Sequence, residues 1–182
     1  MLTLVLGGTK AGKSSFAASL ARRTGRPVTV LATGVAGDRE MRLRVEAHRR
    51  DRPVHWAVVE EPLEIGRALT PGPDVVLLDS VDSWLFNHME RLGGSEAEFT
   101  PGLCEELVEA CDRELGELAA DRDVIAVTAE VGLSLLPTSS YGRAFTDLLG
   151  KLNQRLALRA DRSYLVVAGI PIPLDRLGEA PE

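Results

Sequence analysis

The sequence predicts a three-layer α/β fold built on a mainly parallel sheet. Three observations predict it. Short apolar runs rich in Val, Ile and Leu alternate along the chain with amphipathic stretches. Several of those runs are apolar almost throughout, as strands buried on both faces are. Between the first run and the first amphipathic stretch stands Gly7-Gly8-Thr9-Lys10-Ala11-Gly12-Lys13-Ser14, a complete G-x-x-x-x-G-K-[ST] phosphate loop. That spacing in a strand–loop–helix context predicts a P-loop NTPase fold, with a RecA-like sheet, as one nucleotide-binding catalytic domain spanning 1–182.

The elements follow in order. Strands are expected at 3–6, 28–32, 55–59, 75–79, 124–128 and 164–168, each a short apolar run. Helices are expected at 13–24, 39–50, 62–69, 81–92, 102–120 and 142–160. The last carries Tyr141, Phe145, Leu148, Leu152 and Leu156 as a core-facing stripe. Right-handed crossovers should join the parallel strands, with the ligand at their carboxyl ends. Residues 93–102 read as a polar surface loop. The tail from Ile170 holds three prolines and is not expected to be helical.

Length and composition bound the function. At 182 residues one domain with a sizeable core is expected. A net charge of −6 gives no nucleic-acid-binding signature. The arginines around 39–52 suit either a phosphorylated small molecule or a solvated helix face. Cys104 and Cys111, seven apart on one helix, lie beyond disulfide reach, and no Cys/His metal spacing occurs. No apolar run approaches membrane-spanning length and no basic leader precedes the first strand, so a cytoplasmic protein without membrane insertion is expected.

The loop carries the clearest chemistry. Its glycines let backbone N–H groups turn inward around phosphate oxygens, and the following helix adds positive potential. Gly7, Gly8, Thr9, Lys10, Ala11 and Gly12 form the cradle; Lys13 reaches the β- and γ-phosphates; Ser14 holds Mg²⁺; Ser15 extends the contact. A nucleoside triphosphate is the expected ligand. Asp79 ends an apolar strand and reads either as the carboxylate that orients Mg²⁺ or as a cap on the next helix. His48 shares a helical face with Met41 and Val45, with Arg44 one turn before it. It reads either as a partly buried structural histidine or as a nucleophile toward phosphorus, with arginines steadying the developing charge. His55 and His88 read as structural, and Glu130, before a glycine turn, reads equally as site or scaffold.

Separate motifs in one order give the chain a resemblance. Gly7–Ser14, Ala32-Thr33, Glu40 through His48, Arg52-Pro53-Val54-His55-Trp56, Glu130-Val131-Gly132 with Pro137, and a block from Gly142 to Gly169 run from Leu4 to about Leu174. In these the chain resembles the bifunctional adenosylcobinamide kinases/adenosylcobinamide-phosphate guanylyltransferases of cobalamin biosynthesis. The resemblance implies two reactions: phosphorylation of adenosylcobinamide with ATP or GTP, and transfer of GMP from GTP to adenosylcobinamide phosphate through a guanylyl-histidine. It implies that His48 and Lys13 are catalytic, that Arg44 belongs to the nucleotide site, and that Ser14 and Asp79 hold the metal. It also implies a corrinoid substrate and a homo-oligomer, expected as a trimer.

The chain departs from the family's pattern at three places. Ala129 stands where an Asn is usual, Ser80-Val81-Asp82 replaces a Cys-Leu-Thr-type segment, and Pro137-Thr138-Ser139-Ser140 replaces a Pro-Glu-Asn-Arg-like stretch. These departures bear on substrate range and kinase competence. The competing readings are a P-loop kinase of another small metabolite without covalent histidine chemistry, and a nucleotide-dependent regulatory protein.

Overall fold

A computed structural model describes residues 1–35, 53–69 and 75–174. Seven strands, β1 Leu2–Gly7, β2 Val28–Ala32, β3 Ala57–Glu60, β4 Val75–Asp79, β5 Asp123–Val127, β6 Arg162–Val167 and β7 Ile170–Pro173, form one sheet in the order β3-β2-β4-β5-β1-β6-β7. Every neighbouring pair is parallel except β6 with β7. Strand β5 lies between the strand that leads into the phosphate loop and the strand that ends in Asp79, giving the RecA-like arrangement.

Alternation along each strand builds the layers. Leu2, Leu4 and Leu6 face one core with Val76, Leu78, Val124 and Ala126, while Val5 faces the other with Val75, Leu77, Ile125 and Val127. The first core is closed by helices α2 Val81–Arg91, α3 Pro101–Ala120 and α4 Ser140–Arg159. Helix α1 Lys13–Arg23 closes the second through Ala17, Ala18 and Ala21, whose small side chains let it lie close on the strands. The stripe on α4 is core as expected: Leu148, Leu152 and Leu156 are buried.

Start signals separate α1 from the other helices. Ser80, Thr100 and Ser139 cap α2, α3 and α4 by accepting the N–H of the residue three further on. Helix α1 instead starts at Gly12, in the left-handed region, with no side-chain cap.

Three expectations need correction. Residues 62–69 are turns rather than a helix. The Glu61 carboxylate accepts the N–H groups of Leu63 and Glu64 at 2.8 and 2.9 Å, and only a single turn follows, closed by the Arg67 and Ala68 N–H groups donating to the Glu64 carbonyl. Their apolar residues Ile65 and Leu69 are nevertheless buried. Strand β3 begins at Ala57, because His55 and Trp56 belong to a turn closed by the Trp56 N–H donating to the Pro53 carbonyl. Residues 93–102 are not wholly loop: Gly94–Glu96 forms one 3-10 turn and Pro101 opens α3.

The tail supplies a strand as well. β7 reads Ile-Pro-Ile-Pro, and the Leu174 N–H donates to the Ser163 carbonyl at 2.8 Å. The inward positions are therefore 170, 172 and 174, and both prolines stand on the outward ones. The helix expected at 39–50 lies outside the described residues.

Candidate active site

A cavity of about 510 Å³ opens at the carboxyl ends of β1, β2, β4 and β5. Residues 9–15 form one wall, and Asp79, Ser80, Asp82 and Ser83 form another. The loop's shape depends on its glycines. Gly12 has φ 100°, and a Cβ there would lie 3.2 Å from the Gly169 Cα. A Cβ on Gly7 would lie 2.5 Å from the Val166 carbonyl oxygen. Thus Thr9, Lys10, Ala11, Gly12, Lys13, Ser14 and Ser15 line the cavity, while Gly7 and Gly8 accept the Lys13 ammonium through their carbonyls.

Lys13 points back over the loop. Its Nζ donates to the Gly7 and Gly8 carbonyls at 2.8 and 2.9 Å. Burial lowers its pKa, and the carboxylates of Asp82 and Asp79 partly offset that. One cation therefore stands among two carboxyl groups.

Asp79 closes β4, in register with Ala32 on one side and Val127 on the other. The helix cap beside it is Ser80, whose side chain accepts from the Ser83 N–H. The capping role considered for Asp79 thus belongs to its neighbour. Asp82, on the first turn of α2, has its carboxyl pKa raised by burial, against the hydroxyl of Ser80 and its own N–H, which favour the charged form. Its Oδ1 is buried with no hydrogen-bond partner. A buried carboxylate oxygen in that state suits a cation or a donor from a ligand. No cluster of three His, Cys, Asp or Glu that could hold a metal occurs among the described residues. Ser14, Asp79 and phosphate oxygens could hold Mg²⁺ together, since that ion commonly takes one or two carboxylates plus substrate phosphates.

Buried polar side chains fix the rim. The Thr33 hydroxyl donates to the Ser80 carbonyl at 2.7 Å and accepts the Ser80 N–H at 2.9 Å, joining the ends of β2 and β4. The Asn87 amide donates to the Thr33 and Pro62 carbonyls at 2.7 and 3.0 Å. Asn153 accepts from the Thr128 hydroxyl at 2.8 Å and donates to the Ala129 carbonyl at 3.0 Å, fixing the exit of β5. Sequence reasoning gave none of these residues this role; the available signal was a polar Asn153 beside the apolar stripe of α4.

The remaining candidates lie apart from the cavity wall. His55 is exposed in its turn. His88 packs edge-on against Trp84 at 5.4 Å. Glu130 accepts the Gly132 N–H at 2.7 Å, so its carboxylate shapes the turn. Of the departures, Ser80, Asp82 and Ala129 line the cavity, and Ser139 caps α4. His48 and Arg44 lie outside the described residues.

A family profile described as cobinamide kinase / cobinamide phosphate guanyltransferase matches residues 3–174. The chain belongs to this CobU family. Its CobU-family relatives include the bifunctional adenosylcobalamin biosynthesis protein CobP of Pseudomonas aeruginosa, 37% identical, with 96% of this chain and 97% of that protein covered. The bifunctional adenosylcobalamin biosynthesis protein CobU of Escherichia coli is 32% identical, with 96% and 99% covered. Among solved structures, the RadB recombinase aligns with a TM-score of 0.45 at 15% identity, covering 90% of this chain and 73% of that one. Membership in the CobU family makes the chain an enzyme. No described helix is long and apolar enough to cross a membrane.

Proposed function

We propose that this CobU-family chain, as a single P-loop catalytic domain, phosphorylates adenosylcobinamide with ATP or GTP. We propose also that it transfers GMP from GTP to adenosylcobinamide phosphate through His48, giving adenosylcobinamide-GDP. The observation that carries this reading is the cavity where Lys13 and the carboxylates of Asp79 and Asp82 meet the loop, in a chain matching the family from residue 3 to 174.

In the kinase step the loop N–H groups and the uncapped start of α1 hold phosphate oxygens. Lys13 leaves the loop carbonyls for the β- and γ-phosphates, and the corrinoid hydroxyl takes the γ-phosphoryl group. Bound Mg²⁺, held by Ser14 and Asp79, supplies charge neutralisation on the phosphates. In the transfer step a neutral His48 nitrogen attacks the α-phosphorus. A P–N bond forms and the bond to pyrophosphate breaks. The phosphate of adenosylcobinamide phosphate then attacks the same phosphorus and releases the histidine. Arg44, four residues before His48 in the sequence, steadies the charge on the α-phosphate. The enzyme works in the cytoplasm as a homo-oligomer, expected as a trimer.

Incubation with α-labelled GTP and Mg²⁺ should give a labelled protein adduct, stable in alkali and labile in acid, that adenosylcobinamide phosphate discharges. Phosphorylation of a different small metabolite with no adduct would replace this reading with that of a simple P-loop kinase.

A further inference from the structure

The unpartnered oxygen of Asp82 has a consequence for charge in the cavity. Among the described lining residues are three acids, Glu60, Asp79 and Asp82, and two lysines, Lys10 and Lys13. A nucleoside triphosphate brings several more negative charges. An ionised carboxylate oxygen can only accept, and phosphate oxygens are acceptors too, so beside an ionised Asp82 the triphosphate itself leaves Oδ1 unsatisfied. That oxygen is nonetheless buried and without a hydrogen-bond partner in the wall that also carries Asp79. The group that satisfies a carboxylate and a polyphosphate together is a divalent cation, and Mg²⁺ commonly takes one or two carboxylates beside substrate phosphates.

We propose that Asp82 is a second carboxylate for the cation that accompanies the nucleotide, paired with Asp79 across the end of β4 and the first turn of α2. Without the cation, the same carboxylate repels the triphosphate. Asp82 thereby makes nucleotide binding depend on the cation. This rests on the reading of the cavity as a nucleoside triphosphate site.

The test uses the full chain, Mn²⁺ and α,β-methylene-GTP, which cannot pass on its GMP. Electron paramagnetic resonance reads Mn²⁺ affinity in the presence of the analogue, and calorimetry reads analogue affinity in EDTA. In Asp82→Asn, Mn²⁺ affinity should fall roughly 10- to 100-fold, the range seen when residues supporting a metal site are lost. Analogue affinity in EDTA should rise a few fold, because a like charge has been removed. Opposite signs in the two readouts distinguish a cation-holding residue from a structural one. Asp82→Thr, which also lacks the charge, should repeat the pattern should the Asn variant fold poorly. Mn²⁺ affinity within about twofold of the parent overturns the proposal. So does weaker analogue binding in both conditions, which would make Asp82 a positioning residue for Lys13. A parent protein that binds no analogue even with Mn²⁺ overturns the nucleotide reading itself, and this proposal with it.

Discussion

The backbone N–H of Gly169 donates to the carbonyl of Ala11 at 2.8 Å. The turn between β6 and β7 is thereby tied to the phosphate loop from the side opposite Asp79. Gly12 stands next to this contact, and a Cβ there would meet the Gly169 Cα. Gly12→Ala is therefore expected to cost about 1–3 kcal/mol through backbone strain alone. It should also weaken nucleotide affinity, because relief of that strain displaces the loop. Thermal unfolding and nucleotide titration check both effects; a variant with parental stability and affinity would show that the tie is incidental.

Lys13→Ala is expected to impair phosphorylation and GMP transfer alike, by on the order of 10²–10³ in turnover, the loss typical of one charge-stabilising donor. Lys13→Arg should not rescue either, since a planar fork replaces the point charge that must leave the Gly7 and Gly8 carbonyls for the phosphates. Full GMP transfer beside a lost kinase activity would place transfer at another site.

Asp79→Asn is expected to weaken Mg²⁺-dependent turnover more than nucleotide binding. Because Ser80 provides the helix cap, the substitution leaves the start of α2 intact and the effect can be read as chemistry. The Mg²⁺ titration of turnover should shift to higher concentration; an unchanged titration would remove Asp79 from the metal site.

His48→Ala is expected to abolish the GMP adduct and guanylyl transfer while sparing much of the kinase reaction, since direct transfer to a hydroxyl needs no covalent intermediate. Adduct formation should fade at acid pH, because a protonated imidazole has no lone pair with which to attack phosphorus. Mass spectrometry locates the adduct; its mapping to His55 or His88 would overturn the assignment.

His88 gives stability its own pH dependence. Burial lowers its pKa, the positive Arg91 adds to that, and the Leu63 carbonyl partly offsets it. Its Nε2 is buried without a partner. The fold therefore favours the neutral ring, and the unfolded chain binds the proton more tightly. The associated stability is fully present above the unfolded value of about 6.5 and is lost as pH falls from there toward the lowered folded value. Denaturant unfolding at pH 7.5 and 5.5 should show this loss in the parent and a smaller one in His88→Gln. Equal losses would assign the effect to other groups.

What the sequence made legible follows from range. The phosphate loop is eight consecutive residues with one backbone solution, so Gly7 through Ser14 could be read directly. Strands buried on both faces announce themselves as apolar runs, and β1, β2, β4 and β5 fall within a residue or so of expectation. Local pattern misled where side chains compete with the backbone: Glu61 turns residues 62–69 away from a helix although Ile65 and Leu69 still reach the core. Asp82 was visible only as a departure from a family pattern. Its burial beside Lys13 depends on how α2 meets the loop, a relation between residues about 70 apart that no local window contains. The bond of Thr33 to Ser80, across two strand ends, was hidden for the same reason.

The two prolines of β7 decide how far the sheet can grow. Pro171 and Pro173 occupy the outward positions of the outermost strand on that side among the described residues, where any other residue would present an N–H. A newcomer strand would find carbonyls to donate to and no donors in return. The edge therefore resists edge-to-edge joining, both with a second copy and in aggregation. Copies of this chain that assemble must meet through helices, loops or the far edge, which leaves the turn that braces the phosphate loop out of any continuous intermolecular ladder.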